Sequence, residues 1–363
     1  MILHVITNFT ARAGAEKMLA RLLCASDGSG IMVVSLMEIS EHNKASITAQ
    51  NVQFVALGAQ SLPGMVVSLF KLVRLIRRDQ PKVILCWMYH AMAIGTFAHW
   101  MAARPSALYW TVRQSLDDKA SLSRSTRIAV WLCKRLSRWP DGIIYNSSRA
   151  MELHHKDGFA NEASVFIPNG FDLPTDITIS DKSPRVFGIA GRLHAQKDHE
   201  TFFKAAGLAA HARPDLRFIA AGDGLEHGKP VVTKMIADAA IPSDQFALLG
   251  EVGDMASFYR SIDVLVLSSR TEGFPNVVAE AMSHARPVIT TDVGDAAHIV
   301  GETGVVVSPR DADGLAEAIS SFSVLDATQY RLKCEHARAR IEEKFSIETV
   351  AKDYMAFLTP AQR

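Results

Sequence analysis

The sequence predicts an α/β protein built from two doubly wound parallel sheets, each in its own domain. The 363 residues are too many for one ordinary core and suit two domains of average size. Short β-branched runs alternate with helical patterns from end to end, and most of these runs are continuously apolar. Strands buried on both faces need such runs, and strands separated by helices form βαβ units with right-handed crossovers.

Thirteen strands are predicted, seven before a polar segment at residues 172–184 and six after it. They cover residues 3–7, 31–36, 52–57, 83–87, 107–112, 142–146, 164–167, 186–190, 217–221, 246–249, 264–268, 288–291 and 305–307. The segment at 172–184 is rich in Asp, Ser, Thr and Pro and lacks a strong period, so it is predicted to join two domains. We therefore predict domains at 1–175 and 176–345, and a C-terminal helix at 346–363 that packs back on the first domain.

The composition is typical of a globular protein of the cytoplasm. Apolar residues make up 48% of the chain and charged residues 21%. The four cysteines are scattered without metal-ligand spacing, which favours reduced thiols. The first residues suit a strand rather than a leader peptide, and the longest nearly uncharged stretch, 91–103, is too short to cross a bilayer core of about 30 Å. We therefore expect a cytoplasmic protein without a transmembrane span.

Positive charge is concentrated in one part of the first half. Residues 51–139 contain 13 Lys and Arg against 3 Asp and Glu, a local balance of +10 that attracts an anionic partner. Two amphipathic basic helices are predicted in this region, at 62–78 and 121–139. Their basic residues are Lys71, Arg74, Arg77, Arg78, Arg124, Arg127, Lys134, Arg135 and Arg138, and the apolar residues beside them are Leu69, Leu72, Val73, Ile76, Ile128, Trp131, Leu132 and Leu136.

Two interpretations of these helices stay open. They suit docking onto an anionic membrane surface, because tryptophan and basic side chains favour the bilayer interface. They equally suit helices that pack on the sheet and show a solvated basic face. Nucleic acid is not expected as a partner, because no recognition motif of the known modules is present and aromatic residues do not interleave with the basic ones in a stacking pattern.

The first chemical motif follows the strand at 186–190, which runs into Gly191 and Arg192, with Lys197 five residues later. A glycine at a strand end lets a ligand approach the backbone. Two cations at this spacing can clamp a diphosphate from two sides. Taken alone, the segment equally suits a loop with solvated charges.

The second motif follows the strand at 264–268 and contains two glutamates, Glu272 and Glu280. Between them Pro275 is typical of a helix start, and a helix N-terminus favours phosphate. The amides expected to face the ligand are those of Gly273, Phe274, Asn276 and Val277. Because a carboxylate accepts a pair of hydroxyl hydrogen bonds, one glutamate can hold a ribose and the other a sugar ring. The alternative interpretation is that the two glutamates lie on a solvated helix face. The Gly-Phe-Pro-Asn turn between them makes this alternative less favoured.

Further motifs lie along nearly the whole chain. They are Ala-Gly-Ala-Glu at 13–16, Tyr-Asn-Ser-Ser at 145–148, Ile-Pro-Asn-Gly-Phe-Asp at 167–172 and Ala-Gly-Asp-Gly at 221–224, together with Gly-Arg-Leu at 191–193 and the two glutamates. In their order and spacing, these motifs resemble those of the family-four retaining glycosyltransferases of the GT-B fold. The resemblance implies two Rossmann-like domains facing across a cleft, the first binding the acceptor and the second a nucleotide sugar.

Roles in the second domain are implied residue by residue. Arg192 and Lys197 are implied to neutralise the donor diphosphate as the sugar–phosphate bond breaks. Glu280 is implied to bind the ribose, and Glu272 to contact hydroxyls of the transferred sugar.

Roles in the first domain are also implied. Gly14 is implied to offer its amide to the β-phosphate, and His90 to face the transferred sugar and the charge developing at its anomeric carbon. A satisfied, half-buried histidine is the alternative for His90. Arg113 and Asn146 are weaker candidates for the acceptor side of the cleft, and for Asn146 helix capping competes with ligand contact.

The resemblance implies transfer with retention of anomeric configuration, without an identified protein nucleophile. The leaving phosphate would itself take the acceptor's proton. The Asp-Ala-Asp triplet at 311–313 could suggest a metal site, but it precedes a helical pattern and is more simply a helix start. No metal or other cofactor is therefore expected.

The expected donor is a UDP-sugar, with GDP-mannose as the alternative. The expected acceptor is a lipid-linked or oligosaccharide glycan of cell-surface polysaccharide biosynthesis, reached in the cytoplasm or at the inner face of the plasma membrane. Two competing functions stay open: a sugar-nucleotide epimerase of the same fold, and a non-catalytic nucleotide-sugar-binding protein.

Overall fold

The computed structural model describes residues 1–11, 14–103, 106–117, 119 and 122–359, so the predicted features at residues 13 and 121 lie outside the described residues. The chain forms two compact units. The first comprises Met1–Gly170 and the chain from Ile347 onward, and the second comprises Phe171–Ser346. The junction thus lies slightly before the predicted 175/176 position, and the chain re-enters the first unit at Ile347.

The sheet of the first unit has seven parallel strands in the order β3-β2-β1-β4-β5-β6-β7. They are β1 (Ile2–Ile6), β2 (Ile31–Ser35), β3 (Gln53–Ala56), β4 (Val83–Trp87), β5 (Ala107–Val112), β6 (Gly142–Tyr145) and β7 (Ser164–Phe166). The strands in the middle are buried along their whole length because helices cover both faces, which explains their continuous apolar runs.

The helices of this unit lie in two layers, one on each face of the sheet. They are α1 (Gly14–Cys24), α2 (Glu41–Ala45), α3 (Leu62–Asp79), α4 (Tyr89–Ala102), α5 (Arg124–Leu136), α6 (Ser148–Asp157) and, at the C-terminus, α14 (Ile347–Leu358). Helices α3, α4 and α5 pack side by side over one core, and α1 and α14 contact each other over the other core. A Cβ atom at Gly95 would lie 2.3 Å from Cys86 Sγ, so glycine lets α4 approach β4 closely.

The second unit has six parallel strands in the order β10-β9-β8-β11-β12-β13. They are β8 (Val186–Ala190), β9 (Arg217–Ala221), β10 (Phe246–Gly250), β11 (Val264–Leu267), β12 (Val288–Thr291) and β13 (Val305–Val307). Its helices are α7 (His199–Ala212), α8 (Pro230–Asp238), α9 (Met255–Ser261), α10 (Asn276–Ser283), α11 (Ala296–Val300), α12 (Ala312–Ser323) and α13 (Ala327–Lys344). The predicted α/β class and all thirteen predicted strands are confirmed, with strand ends shifted by at most one residue.

Two buried histidines of the first unit are kept neutral by burial, and hydrogen bonds fix their rings in place. The ring Nδ1 of His4 accepts a bond of 3.1 Å from Trp87 Nε1. His154 bonds to the Ala150 carbonyl oxygen through Nδ1 at 2.7 Å and to the Tyr89 hydroxyl through Nε2 at 2.8 Å. Burial lowers the pKa of each ring to about 4.

These histidines predict a loss of stability in acid. An exposed histidine in the unfolded chain has a pKa of about 6.5, so the unfolded state takes up the proton first as the pH falls. The free energy of unfolding should therefore fall from about pH 6.5 downward, with the histidine contribution exhausted near pH 4, at about 3 kcal/mol for each ring. Urea unfolding at pH 7 and pH 5 measures this loss.

The variant His4→Gln isolates one ring. The glutamine carbonyl can accept the bond from Trp87 Nε1 but does not titrate, so the variant should lose less stability between pH 7 and pH 5 than the unaltered chain. Equal losses in the two proteins would contradict the assignment of His4.

Candidate functional site

Two turns at the carboxyl ends of β8 and β9 are joined by backbone hydrogen bonds in the second unit. The Gly191 amide donates to the Ala221 carbonyl oxygen at 2.9 Å, and the Leu193 amide donates to that of Asp223 at 2.7 Å. Gly222 has φ +147, and a Cβ atom there would lie 2.1 Å from the Gly191 carbonyl oxygen. The motif at 221–224 therefore needs glycine at position 222 for its close approach to the backbone of Gly191.

Lys197 and Glu272, predicted to bind the donor, are in direct contact at this edge. Lys197 Nζ lies 2.6 Å from Glu272 Oε1, with side chains 23% and 13% exposed. Ser269 Oγ donates to the same carboxylate oxygen at 2.7 Å, and the aliphatic part of Lys197 lies close to Gly191. Since an ammonium group carries three donors, Lys197 can hold Glu272 and still donate to an anion.

A second ion pair fixes the loop that carries Lys197. Asp198 adopts a left-handed conformation (φ 49), and its carboxylate, which is 0% exposed, lies 2.7 Å from Arg270. Burial opposes ionisation of this carboxyl group, but hydrogen bonds from Arg270 and Thr201 outweigh it and lower the pKa. Ser268 Oγ donates to the carbonyl oxygens of Lys197 and Asp198 at 2.9 Å, which ties the same loop to the end of β11.

Asp198, Ser268 and Arg270 were missed in the sequence analysis. Asp198 stands directly before α7 and resembles a helix cap, but its side chain caps nothing. Its partner Arg270 is 72 residues away. No local spacing in the sequence indicates a pair of residues so far apart, and the left-handed backbone at Asp198 is visible only in the structure.

The glutamates at the second motif have different partners. Helix α10 begins at Asn276 after Pro275, so Glu280 lies just over one turn into it, as predicted. Glu280 Oε2 accepts a bond of 3.0 Å from the Tyr259 hydroxyl of α9, whereas Glu272 is bound to Lys197. Tyr259 is a further residue that the sequence did not single out.

The turn before α10 is anchored in the core. Phe274 is buried and stacks on Phe171 at 6.1 Å between ring centroids, so its side chain is a packing group. The Gly273 carbonyl oxygen accepts from the Asp295 amide at 3.0 Å, and a Cβ atom at Gly294 would lie 2.2 Å from that oxygen. The amides of Asn276 and Val277 lie in the first turn of α10, where the helix dipole favours an anion.

Two further predictions concern charged groups of the second unit. Arg192 is exposed, and within the described ranges it has neither a hydrogen bond nor an ion pair with Lys197 or Glu272. Asp311 caps α12, accepting from the Gly314 amide at 2.8 Å, so the helix-start interpretation of residues 311–313 is confirmed. Across the described residues there is no group of three or more His, Cys, Asp and Glu that could hold a metal ion.

In the first unit, His90 follows a strained turn. Met88 has φ 72 and ψ 155, a conformation that costs a non-glycine residue about 1–3 kcal/mol. The next residue, Tyr89, is fixed by its bond to His154, so β4 and α4 hold the turn in place. His90 is half-buried, and burial lowers its pKa. Such strain is typical of functional sites, and the role of His90 stays a prediction.

The other candidates of the first unit are differently placed. Gly14 is the exposed first residue of α1. The Arg113 guanidinium lies 4.8 Å from the centroid of the Trp87 ring and donates to Asn169 Oδ1 at 2.6 Å and to the Tyr354 hydroxyl of α14. Burial lowers the pKa of Arg113, partly offset by the Tyr354 hydroxyl. Its observed partners thus fix α14 to the sheet, and a role in acceptor binding stays a prediction.

The capping alternative for Asn146 is wrong. Ser147 is the N-cap of α6, and its hydroxyl accepts from the Ala150 amide at 3.1 Å. Asn146 is one residue too early for that position and instead donates to Asn169 Oδ1 at 3.5 Å.

The chain matches two family models that together span most of its length. Residues 14–174 match the family described as "Glycosyltransferase Family 4", and residues 184–323 match "Glycosyl transferases group 1". This chain is a family-four glycosyltransferase.

Named relatives and a solved structure agree with this assignment. The lipopolysaccharide core biosynthesis mannosyltransferase LpcC of Rhizobium leguminosarum bv. viciae is 27% identical over 72% of this chain and 73% of its own. LpsB of Rhizobium meliloti (strain 1021), with the same description, is 27% identical over 64% of this chain and 68% of its own. The crystal structure of Alr3699/HepE of Anabaena in complex with UDP-glucose is 21% identical, covers 99% of both chains and has a TM-score of 0.79. The fold of the glycosyltransferase is therefore GT-B.

We expect both the stability and the activity of the glycosyltransferase to depend on the Asp198–Arg270 pair. In Arg270→Met the buried Asp198 carboxylate loses its charged partner, so the free energy of unfolding should fall by about 3 kcal/mol. The loop carrying Lys197 should also loosen, which lowers kcat at saturating donor in a variant that still folds.

Thermal unfolding and steady-state kinetics measure the two effects. Arg270→Lys should restore part of both, since it keeps the charge. Lys234→Met breaks an exposed pair with Asp238 in α8 and should change stability by about 1 kcal/mol or less. Unchanged kcat in a folded Arg270→Met protein would show that the pair does not position Lys197.

Proposed function

We propose that this glycosyltransferase moves a sugar, with retention, from a nucleotide diphosphate sugar to a lipid-linked or oligosaccharide acceptor of cell-surface polysaccharide biosynthesis. The observation that carries the proposal is the contact between Lys197 and Glu272 beside Gly191. It places a cation next to a carboxylate at the carboxyl ends of the strands, where ligands bind in such sheets. A diphosphate needs a cation as its partner, and the hydroxyls of the attached sugar need an acceptor such as a carboxylate.

Each residue of this edge can meet one part of the donor. Lys197 donates to the diphosphate with its remaining N–H groups, and the exposed Arg192 approaches the same charge from solvent. The first turn of α10 adds a positive dipole end. Glu272 accepts from hydroxyls of the sugar, and Glu280, oriented by Tyr259, accepts from the ribose hydroxyls.

The proposed reaction needs no protein nucleophile. The bond between the anomeric carbon and the phosphate oxygen breaks, and its electron pair stays with the phosphate. The acceptor hydroxyl oxygen bonds to the anomeric carbon on the same face, and its proton passes to the leaving phosphate. Lys197 and Arg192 stabilise the charge that develops on the leaving phosphate, and electrostatic stabilisation of this kind is usually the largest single contribution to catalysis. We propose that these two cations replace a metal ion.

The relatives suggest which donors and acceptors to test first. A relative solved with UDP-glucose supports a UDP-sugar, and two relatives named as mannosyltransferases of lipopolysaccharide core biosynthesis support GDP-mannose and a lipid-linked saccharide. All four cysteines are free thiols, which suits the cytoplasm or the inner face of the plasma membrane, where we place the reaction.

The decisive assay follows a radiolabelled sugar from UDP-sugars or GDP-mannose into a lipid-linked oligosaccharide fraction, with and without EDTA. Transfer of label, unchanged by EDTA, with an anomeric configuration equal to that of the donor is the expected result. An epimerase would change the sugar nucleotide without labelling a second molecule, and a binding protein would bind it unchanged. Either result contradicts transfer.

Lys197→Ala should lower kcat by about 100- to 1000-fold, because it removes the charge that stabilises the leaving phosphate. Its melting temperature should stay close to that of the unaltered protein. Lys204→Ala is the matched control, since Lys204 is an exposed lysine of α7 that pairs with Glu200 and should leave kcat unchanged. Near-normal turnover by folded Lys197→Ala would remove Lys197 from the reaction.

Glu280→Ala should act mainly on donor binding, raising the KM for the donor about tenfold or more while kcat changes less, because the ribose contacts are made in the ground and transition states alike. Tyr259→Phe removes one hydrogen bond that orients Glu280 and should raise the same KM by a smaller factor. An unchanged donor KM in Glu280→Ala would contradict the ribose assignment.

A further inference from the structure

Several large apolar side chains are exposed on helices α3, α4 and α5 and on the turn that follows α5. We term the surface that these three helices and this turn form the aromatic–basic face. These side chains are 53–66% exposed. They are Val66, Val67, Phe70, Trp100, Ile128, Trp131 and Trp139. Within the described residues, they make up half of the exposed large apolar side chains and include all of the aromatic ones.

Folding of the first unit does not require these residues to be apolar. Helix α3 buries Leu72, Val73 and Ile76 against the sheet, and α5 buries Val130 and Cys133. Of the two interpretations left open for these helices, packing on the sheet is therefore confirmed for Leu72, Val73 and Ile76, which lie in the core. The exposed residues lie on the other sides of the same helices, where a soluble surface would carry polar groups.

The charge of the face is one-sided. Helices α3 and α5 carry eight Lys and Arg against a single acid, Asp79, and α4 carries neither sign. Among the described residues, Arg78 is the one member of the eight with a carboxylate partner, and that partner is Asp79. The remaining positive charge is available to an anionic surface.

The exposed tryptophans contact each other or one of these cations. Trp100 and Trp139 form an edge-to-face pair with centroids 6.3 Å apart, and the Arg135 guanidinium lies 5.4 Å from the centroid of the Trp131 ring. Tryptophan prefers the interface between lipid headgroups and acyl chains, and arginine reaches from there to phosphate. The described chain contains no helix long and apolar enough to span a bilayer.

We propose that the aromatic–basic face docks on the surface of an anionic lipid bilayer, with its apolar side chains at headgroup depth and its cations on lipid phosphates. A second copy of the chain fits this face poorly, because like charges would meet across a symmetric interface. The inference extends the proposed function, since a lipid-linked acceptor lies in a membrane. The binding test uses neither donor nor acceptor, so a negative result in the transfer assay would not contradict the membrane-docking proposal.

The test measures binding of the full chain to vesicles of phosphatidylcholine alone and of phosphatidylcholine with phosphatidylglycerol. We expect binding that rises with the phosphatidylglycerol fraction and falls with salt. Brominated lipids should quench Trp100, Trp131 and Trp139, whereas Trp87 and Trp110, which are 0% exposed, should keep their emission. Charge reversal in Arg74→Glu/Arg127→Glu should weaken binding about thirtyfold or more, and Phe70→Ser/Trp131→Ser about tenfold.

Matched controls come from the second unit. Lys229→Glu/Arg331→Glu reverses two exposed charges there, and Leu208→Ser/Leu332→Ser replaces two exposed apolar residues; both should bind vesicles as the unaltered chain does. Equal binding to the two vesicle types, or equal losses in the test and control variants, would overturn the proposal. The proposal would also be overturned if the chain did not bind vesicles and instead formed a concentration-dependent dimer that Phe70→Ser/Trp131→Ser abolishes.

Discussion

The proposed chemistry of this glycosyltransferase depends on one contact, the bond between Lys197 and Glu272. The two residues lie on separate loops, after β8 and after β11. Asp198, Arg270 and Ser268 tie the loops together directly behind the contact. A buried carboxylate is costly unless it is paired, so this arrangement has few alternatives of similar energy. The pair thus supplies the preorganisation that an electrostatic mechanism needs.

The first unit shows a comparable use of buried polar groups. His154 and Tyr89 hold the start of α4, and Met88 adopts an unfavourable conformation immediately before it. Arg113, Trp87 and Tyr354 tie the C-terminal helix to the same sheet. In both units the polar groups near strand ends are thus fixed by partners that are far away in the sequence.

Sequence reasoning succeeded where the signal is local. Buried parallel strands need continuous apolar runs, so all thirteen were predicted, and glycines such as Gly222 and Gly224 mark the turns that need close approach. It failed where the partner is distant, as for Arg270 with Asp198, because nothing in either neighbourhood indicates the pairing. It also left open whether the apolar residues of α3 pack on the sheet or face a membrane, since the pattern of a helix shows that one side is buried but not which apolar residues remain exposed beside it.

The most direct measurement of the central claim compares nucleoside diphosphates with monophosphates by titration calorimetry. If Lys197 binds the second phosphate, UDP or GDP should bind about 10- to 100-fold more tightly than UMP or GMP, the range expected for one charge-assisted hydrogen bond. Lys197→Gln should reduce that ratio about tenfold, because it removes one charge-assisted hydrogen bond while Arg192 and the first turn of α10 remain, and the monophosphate affinity should stay unchanged. An unchanged ratio in folded Lys197→Gln, or equal affinities in the unaltered chain, would contradict the account.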